Sequence, residues 1–86
     1  MDRGRKDVMG TPRSAFTGEI RLHLDGNGRL VAECHRGLLE YGQKCIRLRG
    51  RAMQLIITGQ ELELEAIGAE DLIVIGSMEK IEFKPI

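Results

Sequence analysis

The chain has no tryptophan and only three aromatic residues, Phe16, Tyr41 and Phe83. Proteins that grip single-stranded nucleic acid stack bases on aromatic side chains interleaved with basic ones, and that pattern is missing. Cysteine is equally scarce. Cys34 and Cys45 are too few for the disulfide framework of a secreted mini-protein, and no amino-terminal segment joins a basic start to an apolar run of about 7 to 15 residues. The cytosol is the expected compartment. No apolar stretch approaches the roughly 20 residues needed to span a bilayer as a helix, so contact with a membrane is expected only through a partner. Net charge is lacking as well. Thirteen Lys and Arg cancel thirteen Asp and Glu, which removes the long-range field that draws a protein to nucleic acid or to an anionic surface.

What is present is one small domain. A chain of 86 residues buries only about 60 to 65% of its unfolded surface, and for such domains burial and chain entropy nearly balance. Support from a partner, or from a second copy of the chain, is expected on that ground. Residues 1 to 17, MDRGRKDVMGTPRSAFT, carry Arg3, Arg5, Lys6 and Arg13 and follow neither a period of 3.6 nor one of 2. They read as a flexible basic tail, and residues 18 to 86 as a single β domain.

From Glu19 onward apolar and polar residues alternate between glycines, with no uninterrupted helical stripe. Gly42, Gly59 and Gly76 are seventeen residues apart, and one further step back reaches the Asp25-Gly26-Asn27-Gly28 turn. Four turns at one period predict four hairpins. At the first, a three-residue loop sets Leu24 against Leu30, Leu22 against Ala32 and Ile20 against Cys34, with Asp25 facing Arg29 and Arg21 facing Glu33, and Gly28 as its left-handed residue. At Gly42, Tyr41 meets Ile46, Leu39 meets Leu48 and Glu40 meets Arg47. A turn at Gly59-Gln60 sets Ile57 against Leu62, Leu55 against Leu64 and Met53 against Ala66. A turn at Gly76 sets Val74 against Ile81 and Leu72 against Phe83. The expected fold is all-β: an antiparallel meander of about four glycine-turned hairpins curled into a small sandwich or open barrel. A short β-solenoid with the same seventeen-residue period is the alternative.

Residues suited to chemistry are few. Zinc sites want four ligands in close pairs, and Cys34 next to His35 with Cys45 eleven residues on does not supply them. Neither a metal nor a cofactor is expected, and a metal-dependent hydrolase built on Cys34 and His35 ranks last. Cys34 reads as a small buried hydrophobe and His23 as a surface residue. Asp25-Gly26-Asn27-Gly28 lacks the lysine and the helix of a phosphate loop. Arg47, Arg49 and Arg51 alternate along one strand, and Glu61, Glu63 and Glu65 along another. Both rows read as outer faces, or as complementary rows at a polar interface. Ile56, Ile73 and Ile75 also fall on the outer side of a one-sided sheet. They, with Arg47, Arg49 and the three glutamates, are the expected partner surface.

The run from His35 to Phe83 resembles the YabP/YqfC family of small sporulation proteins of endospore-forming bacteria. The resemblance rests on His35-x-Gly37-Leu38-Leu39-Glu40-Tyr41, on Ile46-Arg47-Leu48, on Ile57-x-Gly59-x-x-Leu62 and on Ile75-Gly76-x-x-x-x-Ile81-x-Phe83. It covers roughly residues 19 to 83. The turn before Met53, Arg49-Gly50-Arg51-Ala52, departs from it, because family members tend to carry glycine nearer Ala52. The resemblance implies a non-enzymatic role in building the spore, on the mother-cell side, with a membrane-bound sporulation protein as partner. It carries over no catalytic residue. The rival expectation, from another class, is a small nucleic-acid-binding β-barrel that uses the tail and the Arg47 row.

Overall fold

The computed structural model describes residues 18–86, and the basic tail read at residues 1–17 lies outside the described residues. The described chain forms six strands: β1 (Arg21–Asp25), β2 (Arg29–Glu33), β3 (Leu38–Tyr41), β4 (Cys45–Arg49), β5 (Met53–Ile67) and β6 (Asp71–Pro85). They make one antiparallel sheet in the order β1-β2-β6-β5-β4-β3. Antiparallel pairing throughout answers the solenoid alternative, whose coils would pair in parallel. The sheet is bent on itself without closing into a barrel. One apolar cluster joins Leu30, Ala32, Leu72 and Val74 from one end of the sheet to Ile46, Leu48, Leu55 and Ile57 from the other.

The first hairpin pairs as its alternation demands, with Leu24 opposite Leu30, Leu22 opposite Ala32, Asp25 opposite Arg29 and Arg21 opposite Glu33. Its left-handed residue is Gly26, at φ 58°, and not Gly28. In the second hairpin Tyr41 faces Ile46 and Glu40 faces Arg47, but Leu38, not Leu39, faces Leu48. A bulge between Leu38 and Glu40 turns Leu39 outward, where it is exposed.

The hairpins expected at Gly59 and Gly76 are absent, and each glycine lies in the middle of a fifteen-residue strand. The chain reverses instead at residues 50–52 and 68–70, where Gly50 N–H donates to Met53 O and Gly68 N–H to Asp71 O. Leu55 therefore pairs with Phe83, Ile57 with Ile81 and Leu64 with Val74. Gly59 and Gly76 serve as the places where β5 and β6 bend and touch. A Cβ on Gly59 would stand 2.0 Å from Ser77 O, and one on Gly76 2.6 Å from Glu61 O. A bulge holds Glu61 at φ 53°, so the core-facing positions change parity from the buried Leu55 and Ile57 to the buried Leu62 and the half-buried Leu64.

The seventeen-residue period marks an internal two-fold. β2 pairs with the first half of β6, placing Leu30 opposite Val74 and Ala32 opposite Leu72. β4 pairs with the first half of β5 in the same way, placing Ile46 opposite Ile57 and Leu48 opposite Leu55. Both bends are then fixed by a hairpin turn: Gly76 N–H donates to Gly28 O and Met78 N–H to Asn27 O, while Gly59 N–H donates to Lys44 O and Leu62 N–H to Gln43 O. Each half is thus a hairpin laid on the first half of a long strand, and β5 and β6 cross between the halves.

Candidate functional site

His35 lies in the link from β2 to β3 and is 5% exposed. Gly37 N–H donates to its Nδ1 at 3.2 Å, and its Nε2 lies 3.2 Å from Gly68 O. A nitrogen that accepts carries no proton in neutral imidazole, so Nε2 bears the hydrogen and donates to Gly68 O. The main chain adds a third tie, His35 N–H to Glu70 O at 3.0 Å. Both ring nitrogens are thereby spent on the fold: Nδ1 braces the β2–β3 link, and Nε2 joins that link to the β5–β6 turn. Cys34 beside it is half-buried, sits at φ 67°, and lines a pocket of about 290 Å³ with Gly18, His35, Arg36 and Glu70. Among the described residues no group of three or more His, Cys, Asp or Glu is placed to hold a metal.

The two charge rows do not meet. Arg47 and Arg49 lie on β4 opposite Ile56 and Gln54 in the first half of β5, Arg51 lies in the turn that follows, and Glu63 and Glu65 lie beyond the bend. Each row finds local partners instead. Arg47 Nη2 is 3.3 Å from Glu40 and its Nη1 donates to Gln54 Oε1 at 3.5 Å, while Arg29 Nε stands 3.6 Å from Glu65. Ile56, outside the main cluster, is 8% exposed between Arg47 and Glu82, so the chain covers it unaided. Ile73 and Ile75 stay half-buried on the same outer face, with the Arg29–Glu65 pair reaching across β6 beside them.

Arg47 Nε is buried without a hydrogen bond. Replacing Arg47 by methionine removes that orphan donor and keeps an apolar stem. Stability is therefore expected to hold within about 1 kcal/mol or to rise. Glu40→Gln weakens a half-exposed pair and should cost no more than about 0.5 kcal/mol. Urea melts check both, and a loss above about 2 kcal/mol at Arg47 would contradict the first.

The bend leaves two seams, and the internal two-fold makes them comparable. On one side β3 approaches the second half of β5, and Leu64 N–H donates to Tyr41 Oη at 3.4 Å across the gap. On the other side β1 approaches the second half of β6. Leu24, which faces Leu30 as Tyr41 faces Ile46, holds the corresponding place and has no hydroxyl. This seam contains a pocket of about 250 Å³ lined by Glu19, Ile20, Met53 and Phe83, and another of about 210 Å³ walled by Leu24, Lys80 and Ile81. Leu24 and Phe83 are 53% and 55% exposed there. Alternation alone turned both inward. The structure leaves them at an edge, a distinction that periodicity within a strand does not carry.

The chain is similar to the uncharacterized protein YqfC of Bacillus subtilis (strain 168), with 25% identity over 76 residues that span 88% of this chain and 73% of that protein. No family model matches the chain, and no solved structure matches it. The similarity supports a YqfC-like relationship. Among the described residues no helix is long and apolar enough to cross a membrane.

Proposed function

We propose that this protein is a non-enzymatic interaction module of endospore formation, acting on the mother-cell side with a membrane-bound sporulation protein as its partner. The observation that carries the interaction half is how the side chains are used. His35 is spent by both nitrogens on the fold, and Arg47 is held by Glu40 and Gln54. Leu24, Leu39, Tyr41, Ile67 and Phe83, by contrast, stand exposed on a small domain that has little apolar surface to spare. The sporulation half is supported by the motif from His35 to Tyr41 with its downstream glycines, and by the similarity to YqfC.

The test is genetic. Deleting the gene from a spore-forming host is expected to lower the yield of heat-resistant spores, and a copy supplied in the mother cell is expected to restore it. Unchanged spore yield and envelope morphology in the deletion strain would remove the sporulation half.

A further inference from the structure

The free edge of β6 is chemically a palindrome. From Ile81 to Pro85 it reads apolar, acidic, aromatic, basic, apolar: Ile81-Glu82-Phe83-Lys84-Pro85. Laid antiparallel on a second copy of itself about Phe83, it sets Phe83 against the partner's Phe83 and Ile81 against the partner's Pro85 on one face. On the other face it sets Glu82 against the partner's Lys84, and Lys84 against the partner's Glu82. A shift by one residue would face Glu82 with Phe83 and Ile81 with Lys84, so the pattern selects this register. We propose that two copies of the chain pair edge to edge through this segment, as a two-fold dimer whose sheet runs on from one copy into the next.

Three observations make this edge available. Among the described residues β6 beyond Met78 pairs only with β5, because the hairpin that flanks its first half ends at Asn27. Ile86 N–H is turned toward Ala52 O on the β5 side. By strand alternation the main-chain groups of Glu82 and Lys84 then face β5, while those of Ile81 and Phe83 point outward and unpaired. Finally, the seam beside this edge is open where its two-fold counterpart is bridged by Tyr41, and its pocket lies against Phe83 itself.

The occupant is argued from charge. Among the described residues Lys84 makes no ion pair, and the ion pair of Glu82 is with Lys80, at 3.4 Å. The partner's glutamate and lysine complete both. An isologous contact of this kind uses each residue twice, so two ion pairs and one aromatic pair arise from three side chains per copy. Pro85 has no N–H and ends the ladder, which keeps the pairing short and closed. The small domain gains the support that its size calls for. The proposal stands apart from the sporulation reading, since a dimer can form whatever larger assembly it enters.

Sedimentation equilibrium of the full chain from low micromolar to millimolar concentration reads the outcome. A concentration-dependent doubling of mass is expected. Glu82→Lys alone puts lysine opposite lysine, and Lys84→Glu alone puts glutamate opposite glutamate. Each should weaken dimerisation roughly tenfold or more, while the double reversal Glu82→Lys/Lys84→Glu should restore it. All three variants lie outside the core, and circular dichroism checks that each is folded. Slowed amide exchange at Ile81 and Phe83 in the dimer is a second expected result. A mass that stays monomeric at every concentration overturns the proposal, as does a dimer indifferent to the single reversals. If the deletion strain sporulates poorly while the parent chain stays monomeric at every concentration, this interface falls while the sporulation reading stands.

Discussion

Gly59→Ala is expected to cost about 3 kcal/mol or more, enough to leave a domain of this size largely unfolded at moderate urea. The methyl group would enter 2.0 Å from Ser77 O and 3.0 Å from Met78 Cα. Both are backbone atoms of the strand that crosses there, and no rotamer change relieves them. Gly59 N–H is also the group that ties β5 to Lys44 O, so any shift that makes room strains the hold of the second hairpin. Gly76→Ala should cost as much, for two reasons at once: its φ of 130° is foreign to an L side chain, and Glu61 O would lie 2.6 Å from the new atom. Gly26→Ala is the control. Its φ of 58° is equally left-handed but nothing lies within 4 Å, so only the conformational cost of about 1 kcal/mol remains. Chemical denaturation should place Gly59→Ala and Gly76→Ala together, well below Gly26→Ala, and a Gly59→Ala unfolding free energy within about 0.5 kcal/mol of the parent would refute the crossing-point account.

The same glycines explain what was legible in the residues and what was not. Alternation placed Leu55, Ile57, Leu62 and Leu64 on one face, and the structure keeps Leu55, Ile57 and Leu62 fully buried with Leu64 packed against them. A hairpin about Gly59 and a long strand bent at Gly59 both bring these four to the core, so the pattern does not say which strand each one meets. The deciding feature is close backbone approach, and a glycine that permits it looks the same in sequence as a glycine that permits a turn. The first hairpin was legible because its information is local: a three-residue loop fixes the register, and Arg21 and Glu33 then meet at 3.4 Å. The seventeen-residue period was also present in the sequence, but it records a duplicated half, with Leu72, Val74 and Gly76 standing where Leu55, Ile57 and Gly59 stand in the other. The seam was out of reach, because whether Leu24 and Phe83 lie inside or at an open edge depends on closure of the whole sheet.

His35→Ala is expected to lower stability by about 2 to 4 kcal/mol. The ring sits almost wholly inside the protein and satisfies two main-chain groups, Gly37 N–H and Gly68 O, that are 31 positions apart in the sequence. Alanine leaves both without a partner in a place that water reaches poorly, at about 1 to 3 kcal/mol for each. For a domain of this length that corresponds to a fall in melting temperature of the order of 10 to 20 °C. Two further variants divide the effect. Asparagine can accept from the N–H two residues ahead, as an Asx turn does, so His35→Asn should keep the Gly37 bond and lose only the reach to Gly68. It is expected to fall between the parent and alanine. Phenylalanine keeps the ring volume and neither bond, and should be no better than asparagine. If His35→Phe instead matches the parent in a thermal melt, the ring is packing material alone, and its two hydrogen bonds do not account for histidine at the head of the Gly37–Tyr41 segment. If alanine and phenylalanine both fail while asparagine partly recovers, His35 is the residue that locks the β2–β3 link onto the β5–β6 turn. That lock holds the end of β2 against the start of β6, where Glu33 faces Asp71.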